Sequence, residues 1–115
     1  MATAIQIVTR AATMLGIHGR GQVLPSDATE DLTASYAEVH AQLSVKDMAV
    51  WDYDEAIPDE YSPYVTALVA WGRVTNYPID PKRYALIQFA AKEAPLEIKE
   101  LQASDAYVTP TPDYF

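Results

Sequence analysis

Apolar residues recur at the spacing of an α-helix in several stretches of the chain. The first stretch predicts a helix over residues 3–15, on a stripe formed by Ile5, Val8, Ala12 and Leu15. Gly16 follows directly, and glycine readily adopts the left-handed backbone that ends many helices. We therefore expect the helix to end there, with Ile17 folding back as its closing apolar contact.

A second helix is predicted to begin at Ser26 or Asp27. Asp27 and Glu30 lie three residues apart, as in a capping box, and acidic residues favour the positive end of the helix dipole. The apolar positions that we expect to face the core are Leu32, Tyr36, Val39 and Leu43.

The helical periodicity stops between residues 47 and 58, where an irregular segment is predicted. A third helix can begin at Asp59, or at Ser62 with Pro63 in the first turn, where a missing N–H is tolerated. This helix is apolar on nearly all sides and is predicted to be central and mostly buried, ending before Pro78.

A fourth helix is predicted from Asp80 and Pro81, a cap followed by a first-turn proline, and its apolar stripe includes Tyr84, Ile87, Ala91 and Ala94. Pro95 predicts either a kink or a break followed by a short fifth helix. Past Ser104 the two prolines of the tail favour an extended chain. The predicted fold is all-α: a four- to five-helix bundle over residues 1–104 with an extended C-terminal tail over residues 105–115.

Composition narrows the class of protein. The 115 residues suit one domain, and this size disfavours an enzyme with a deep, closed active site. Zero cysteines exclude disulfides, thiolate nucleophiles and zinc sites that use sulfur. No secretory leader or membrane-length apolar run is visible, so we expect synthesis in the cytosol and no membrane contact.

Acidic residues are concentrated in the middle of the chain. Overall there are 16 Asp+Glu and 8 Lys+Arg, a net charge of −8. Residues 27–60 contain ten acids against Lys46 alone, for a net −9. This charge disfavours ordinary binding of duplex DNA through a basic patch. The segment is either a solvated face or a negative surface that repels an anion or meets a basic partner.

Residues capable of chemistry lack the partners that chemistry requires. Neither His18 nor His40 has a carboxylate four residues away, so a metal or general-base role is disfavoured. The glycines around Arg20 follow a helix rather than a strand, which argues against a phosphate loop. Asp52, Asp54 and Glu55 lack the glycine turn of a calcium loop. We expect no catalytic residue, cofactor or metal.

Aromatic residues are more numerous than a small bundle easily buries, and Tyr and Trp are enriched at protein interfaces. The tail is expected to dock into a groove or edge of a partner. The predicted partner interface contains Trp51, Tyr53, Tyr61, Tyr64, Tyr107, Val108, Tyr114 and Phe115.

The order of these features resembles the head-to-tail adaptor (connector, or head-completion) proteins of tailed bacteriophages. The resemblance runs from residue 4 to about residue 90 through AATMLGI at 11–17, a helix over 27–43, an acidic and aromatic connection through Trp51, IPDEY at 57–61 and ALVA at 67–70. Each motif is weak alone, and their order carries the resemblance.

The resemblance implies a structural subunit of the virion neck. Such subunits commonly assemble into a ring of about twelve copies, a dodecamer. Such a ring lies below the portal protein and above a stopper or tail protein, and DNA passes through its channel without sequence-specific binding. From the charge of this chain we expect the acidic segment to line the channel or a seam between subunits. The residues concerned are Asp47, Asp52, Asp54 and Glu55.

Two other classes stay open at the level of sequence. A non-viral helical interaction module would be a monomer or dimer that binds one peptide or protein. A small enzyme would need His18, Arg20 and a carboxylate to converge in a pocket.

Overall fold

Four α-helices form the body of the protein. The computed structural model describes residues 2–17 and 24–108, with side chains described through residue 103. The helices are α1 (Ala4–Leu15), α2 (Ser26–Val45), α3 (Ser62–Trp71) and α4 (Pro81–Val108), and a 3-10 helix, Val74–Asn76, lies between the last two. No β-strand occurs in these ranges, which confirms the all-α prediction.

Helix α1 has well-formed caps at both ends. Thr3 Oγ1 accepts the Gln6 N–H, and the Gln6 side chain accepts the Thr3 N–H, a reciprocal capping box that the sequence analysis missed. At the other end Gly16 is left-handed, with φ 80°. The N–H groups of Gly16 and Ile17 donate to the carbonyls of Thr13 and Ala12, which confirms the predicted glycine cap.

Helix α2 begins at Ser26, as predicted, and buries all four residues of its predicted stripe, Leu32, Tyr36, Val39 and Leu43. The prediction of a capping box from Asp27 and Glu30 is wrong. Pro25 is the N-cap residue, and no side chain caps the first turn. Proline fixes a φ of −57° just before the helix, which preorganises the start without a side-chain acceptor.

Helix α3 begins at Ser62 with Pro63 in its first turn and contacts each of the other three helices. Val65 and Val69 are fully buried, which confirms the predicted central helix. Gly72 follows it, and its backbone approaches α2 closely. Ser35 of α2 donates its hydroxyl hydrogen to the Val69 carbonyl at 2.9 Å, so a buried polar bond fixes the register of the two helices.

The connection between α2 and α3 is irregular, as predicted, but it is anchored. Ala2 and Ile57 exchange two backbone hydrogen bonds of 2.9 and 2.7 Å, which join the N-terminal end of the chain to this connection. Met48, Trp51 and Ile57 enter the core from it. The segment therefore packs as part of the body.

Helix α4 is continuous through Pro95. Of the two predicted alternatives, the break with a fifth helix is therefore wrong, and the kink stays a prediction. An internal proline costs roughly 3 kcal/mol. Ala91, Ala94 and Ile98 are buried on both sides of it, and this packing holds the two halves in one helix. Asp80 Oδ1 accepts the Arg83 N–H at 2.8 Å, which confirms the predicted cap.

The helix also continues past Ser104 to Val108, which corrects the predicted start of the extended tail at residue 105. Nothing in residues 104–108 prevents helix formation, whereas Pro110 disfavours helical backbone at the residue before it. Residues 109–115, which are the remainder of the predicted tail, lie outside the described residues.

Candidate interaction surfaces

An aromatic cluster joins α2 to the connection that follows it. The rings of Tyr36 and Tyr53 stack at 5.5 Å, and the ring of Trp51 lies 5.8 Å from both His40 and Tyr61. Two polar bonds orient the cluster: Trp51 Nε1–H donates to Tyr36 Oη at 3.0 Å, and His40 Nε2 lies 2.9 Å from the Trp51 carbonyl oxygen. The second bond requires the proton on Nε2, which leaves that nitrogen occupied.

Burial separates the predicted interface aromatics into two groups. Trp51 and Tyr61 are 5% and 1% exposed, so they belong to the chain's own core and the prediction of a partner contact does not hold for them. Tyr53 is 46% exposed and Tyr64 is half-buried. The side chains of Tyr107, Val108, Tyr114 and Phe115 lie outside the described residues.

The predicted acidic residues Asp47, Asp52, Asp54 and Glu55 are all exposed. Glu55 Oε1 accepts the Asp52 N–H at 2.7 Å, which closes a tight turn. Asp47 follows α2 with a left-handed φ of 56°, and its carbonyl accepts a hydrogen bond from the Gln102 side chain of α4. Exposure of these carboxylates is compatible with a negative surface, and their place in a channel or a seam stays a prediction.

Beside these carboxylates lies an open groove of about 410 Å³, lined by Val50, Trp51, Glu55, Ala56 and Pro58. Val50 is 54% exposed at its edge. We call these lining residues together with Asp52 and Asp54 the acidic groove. Its lining is apolar except for Glu55, so the groove can hold an apolar side chain, and the carboxylates of Asp52 and Asp54 follow in the same stretch of chain.

Helix α4 carries a second apolar face that the sequence analysis missed. Leu86, Phe89 and Leu96 are 65%, 67% and 58% exposed. At 100° per residue they fall within one arc, opposite the buried arc of Ile87 and Ala91, and Glu93 and Glu100 fall within the same arc. We call Leu86, Phe89 and Leu96 the outer stripe. The intervals of 3 and 7 residues between these three positions are typical of one helix face and could have indicated the outer stripe. The core-facing side of α4 is apolar as well, so the two faces are hard to tell apart in the sequence.

An ion-pair network joins α2 to the segment that follows α3. Arg73 Nε donates to Asp31 Oδ1 at 2.8 Å, and its terminal nitrogens donate to the two Glu38 oxygens at 3.0 and 3.2 Å. Tyr77 and Asn76 donate to the second Asp31 oxygen. Sequence reasoning missed this network, although Arg73 is the one basic residue between Lys46 and Lys82.

The network shifts the pKa of each acid within it. Burial raises the pKa of Asp31, but the hydrogen bonds from Tyr77, Arg73 and Asn76 outweigh it and leave the pKa below its usual value. The hydrogen bond from Arg73 also lowers the pKa of Glu38. Burial, together with the bond to Asp31, raises the pKa of Tyr77 to about 12. The lowered pKa values mean that folding favours the ionised carboxylates of Asp31 and Glu38. We call the network of these two residues with Arg73, Asn76 and Tyr77 the clamp, because it joins α2 to the segment after α3.

The described residues include no group of three or more His, Cys, Asp or Glu side chains that could hold a metal ion. Within the same part of the chain, no helix is long and apolar enough to cross a membrane. His18, Arg20 and the glycines beside it lie outside the described residues.

Comparison with protein-family models, with curated proteins and with solved structures finds no match to this chain.

Proposed function

We propose that this chain is a structural head-to-tail adaptor of a tailed bacteriophage, a ring-forming subunit of the virion neck. In that position it joins the portal protein to the stopper or tail protein and extends the channel through which DNA passes. The order of helices, acidic connection and apolar central helix along the sequence supports this proposal through its resemblance to such adaptors.

The observation that carries the proposal is the outer stripe of α4. Three large apolar side chains, each more than half exposed, lie on the face of the longest helix opposite the core. Glu93 lies between Phe89 and Leu96 on this face. Large exposed apolar side chains with a polar residue among them are typical of a protein interaction site. A ring subunit needs two different adhesive surfaces, since its contacts are heterologous. The outer stripe and the acidic groove are two such surfaces.

The negative charge fits passage of DNA better than capture of DNA. Residues 47–60 carry six acids and no base. A negative surface repels the phosphate backbone, so a polyanion next to it slides instead of adhering. The acidic residues at a channel wall or a subunit seam would have this effect.

Electron microscopy tests the proposal. The protein is imaged alone and after mixing with the portal ring encoded in the same genome, and ring-shaped density on one end of the portal is expected. Phe89→Asp, which places a charge in the outer stripe, should weaken that density. Ile5→Asp, at an exposed position of α1 (55% exposed), is the matched control and should leave it intact.

The proposal is rejected if the folded wild-type protein does not bind the portal at micromolar concentrations. Binding of one peptide or protein by a monomer or dimer, without a portal complex, would instead favour the non-viral interaction module.

A further inference from the structure

We propose that residues 109–115 of one copy bind in a groove at the opposite end of a neighbouring copy, where α1 ends and α4 begins. This inference deepens the proposed function, on which it rests, by naming a second copy of the chain as the partner of the predicted tail. The contact joins an acidic, aromatic segment to a groove that carries positive charge.

The groove has a volume of about 330 Å³ and lies between the end of α1 and the first two turns of α4. Its walls are apolar, and Leu86 is 65% exposed on one of them, so the groove can accommodate a large apolar side chain. We call its lining residues the basic groove: Met14, Asp80, Lys82, Arg83, Leu86 and Ile87.

Two of the three charged residues in the basic groove offset each other. Arg83 Nε lies 3.9 Å from Asp80 Oδ2, and Arg83 Nη1 donates to the carbonyls of Thr13 and Met14, which joins α4 to the end of α1. Lys82 is exposed and forms no ion pair within the described residues. The basic groove therefore offers one uncompensated positive charge next to apolar walls.

The tail has the complementary chemistry. Residues 109–115 read TPTPDYF, in which Asp113 is the only charged side chain and two aromatic residues follow it directly. A carboxylate beside an aromatic ring suits a free ammonium group beside an apolar wall, since specific interfaces combine an apolar centre with a charged rim of opposite sign. Proline fixes φ, so Pro110 and Pro112 reduce the conformational entropy that the segment loses on binding.

The basic groove of the same copy is out of reach for this segment. Ile87 lies 21 residues before Val108, which corresponds to about 32 Å along α4. The seven residues 109–115 span at most about 24 Å when fully extended. The Cα of Phe115 therefore falls about 8 Å short of its own groove, and the groove that it can enter belongs to another copy.

Two grooves closer to the end of α4 carry carboxylates. Glu93 and Glu97 line a groove between α3 and α4, and Glu97 lies only about 17 Å from the end of the helix. Glu55 lines the acidic groove. These carboxylates repel Asp113, so the grooves within reach on the same copy are electrostatically unfavourable for the tail.

A shallow groove on α2 is the alternative site within one copy. It has a volume of about 270 Å³ and is lined by Ala41, Gln42, Val45 and Lys46. A single helix forms it, so an aromatic ring bound there is covered on one side, whereas the basic groove has walls from two helices. We therefore favour the basic groove, and the experiment distinguishes the two sites.

The tail and the basic groove share no residue and lie at opposite ends of α4, which makes the contact heterologous. When the same contact repeats from copy to copy, the assembly closes into a ring if the rotation allows it and otherwise extends as a filament.

Cysteine cross-linking tests the arrangement, since the chain contains no cysteine of its own. Tyr114→Cys marks the tail while keeping Asp113 and Phe115, and Leu86→Cys marks the basic groove. The two single variants are mixed and oxidised, so that a disulfide between them joins different copies. It is expected to form about tenfold faster than in a mixture of Tyr114→Cys with Val50→Cys. Val50 is the matched control, since it is 54% exposed and lies in the acidic groove.

An exchange of charges tests the role of the carboxylate. Lys82→Glu, added to Leu86→Cys, should slow cross-linking about threefold at low salt, and Asp113→Lys, added to Tyr114→Cys, should restore the rate. Lys99→Glu, at another exposed lysine of α4, should leave the rate unchanged. Circular dichroism verifies that each variant keeps its helical content.

The inference is overturned if the mixture with Leu86→Cys cross-links no faster than the mixture with Val50→Cys, or if Lys82→Glu has no effect. A second contradictory result concerns binding within one copy. If the double variant Tyr114→Cys/Val45→Cys closes an internal disulfide about tenfold faster than Tyr114→Cys/Val50→Cys, the tail occupies α2 of its own copy.

Each oxidation is carried out in solution and on portal rings, which separates failure of this contact from failure of the proposed function. Rings that assemble on the portal without enriched cross-linking reject only this contact. Enriched cross-linking without portal binding keeps the contact and rejects the adaptor.

Discussion

Arg73 and Asp31 form a direct side-chain ion pair, with Nε and Oδ1 2.8 Å apart and the arginine side chain only 16% exposed. The pair joins α2 to the turn after α3, across 42 residues of sequence. We expect the two side chains of this partly buried pair to couple more strongly than those of an exposed pair, for which 0 to about 1 kcal/mol is typical.

A double-mutant cycle measures that contribution. Arg73→Ala, Asp31→Ala and the double variant should give a coupling free energy of about 1–2 kcal/mol in urea denaturation. The Arg83 and Asp80 pair is the matched control, because its atoms are 3.9 Å apart and its side chains are 44% and 62% exposed. Its coupling should stay below about 0.5 kcal/mol. Equal coupling for the two pairs would contradict the assignment of Arg73 as a clamp.

Acid should weaken the protein through the same clamp. The folded-state pKa of Asp31 lies below its usual value of 3.8, so folding favours the carboxylate. The resulting stability is present above pH 3.8 and is lost as the pH falls through the folded-state pKa. Denaturation curves at pH 7, 5 and 3 should show a smaller acid-induced loss for Asp31→Asn than for the wild type. Asp54→Asn serves as the exposed control, and an identical loss in both variants would exclude Asp31 as the cause.

Gly72 is required by the close approach of α2. A Cβ at this position would lie 2.7 Å from Ser35 Oγ, which cannot move without losing its bond to the Val69 carbonyl. Gly72→Ala should therefore reduce the free energy of unfolding by about 1–3 kcal/mol. Ser35→Ala introduced into that variant should recover part of the loss, as measured by thermal and urea unfolding. Simple addition of the two single effects would show that the contact is not the cause.

Pro95 should be a source of lost stability. It lies in the interior of α4, where its ring lacks the N–H that would bond to the Ala91 carbonyl. Pro95→Ala is expected to raise the free energy of unfolding by about 1–3 kcal/mol, since the helix already continues through this position. Leu96→Ala, at the neighbouring exposed position, controls for local effects. A decrease in stability would mean that the proline ring itself packs favourably.

Much of the local structure could be predicted from the sequence. The left-handed cap at Gly16 and the inward stripe of α2 follow from residue type and spacing alone, because both are decided within a few residues of chain. The acidic surface around Asp52 was equally predictable, since its charges are adjacent in sequence.

Other features required the packed chain. The sequence could not say that Trp51 and Tyr61 turn inward while Tyr53 stays partly exposed, because an aromatic residue in an irregular segment suits either side until its neighbours are placed. Pro95 was predicted to interrupt α4, yet burial of Ala94 and Ile98 beside it outweighs the local penalty.

What the sequence determined by itself is therefore the position of the four helices, the caps at Gly16 and Asp80 and the distribution of charge. The tertiary structure decided which aromatic residues of the irregular connection enter the core. Such a segment has no periodicity that assigns its side chains to a face, and only packing against the helices buries Trp51 and Tyr61 while Tyr53 stays 46% exposed. Helical periodicity is a local property, whereas burial depends on segments that are distant in sequence.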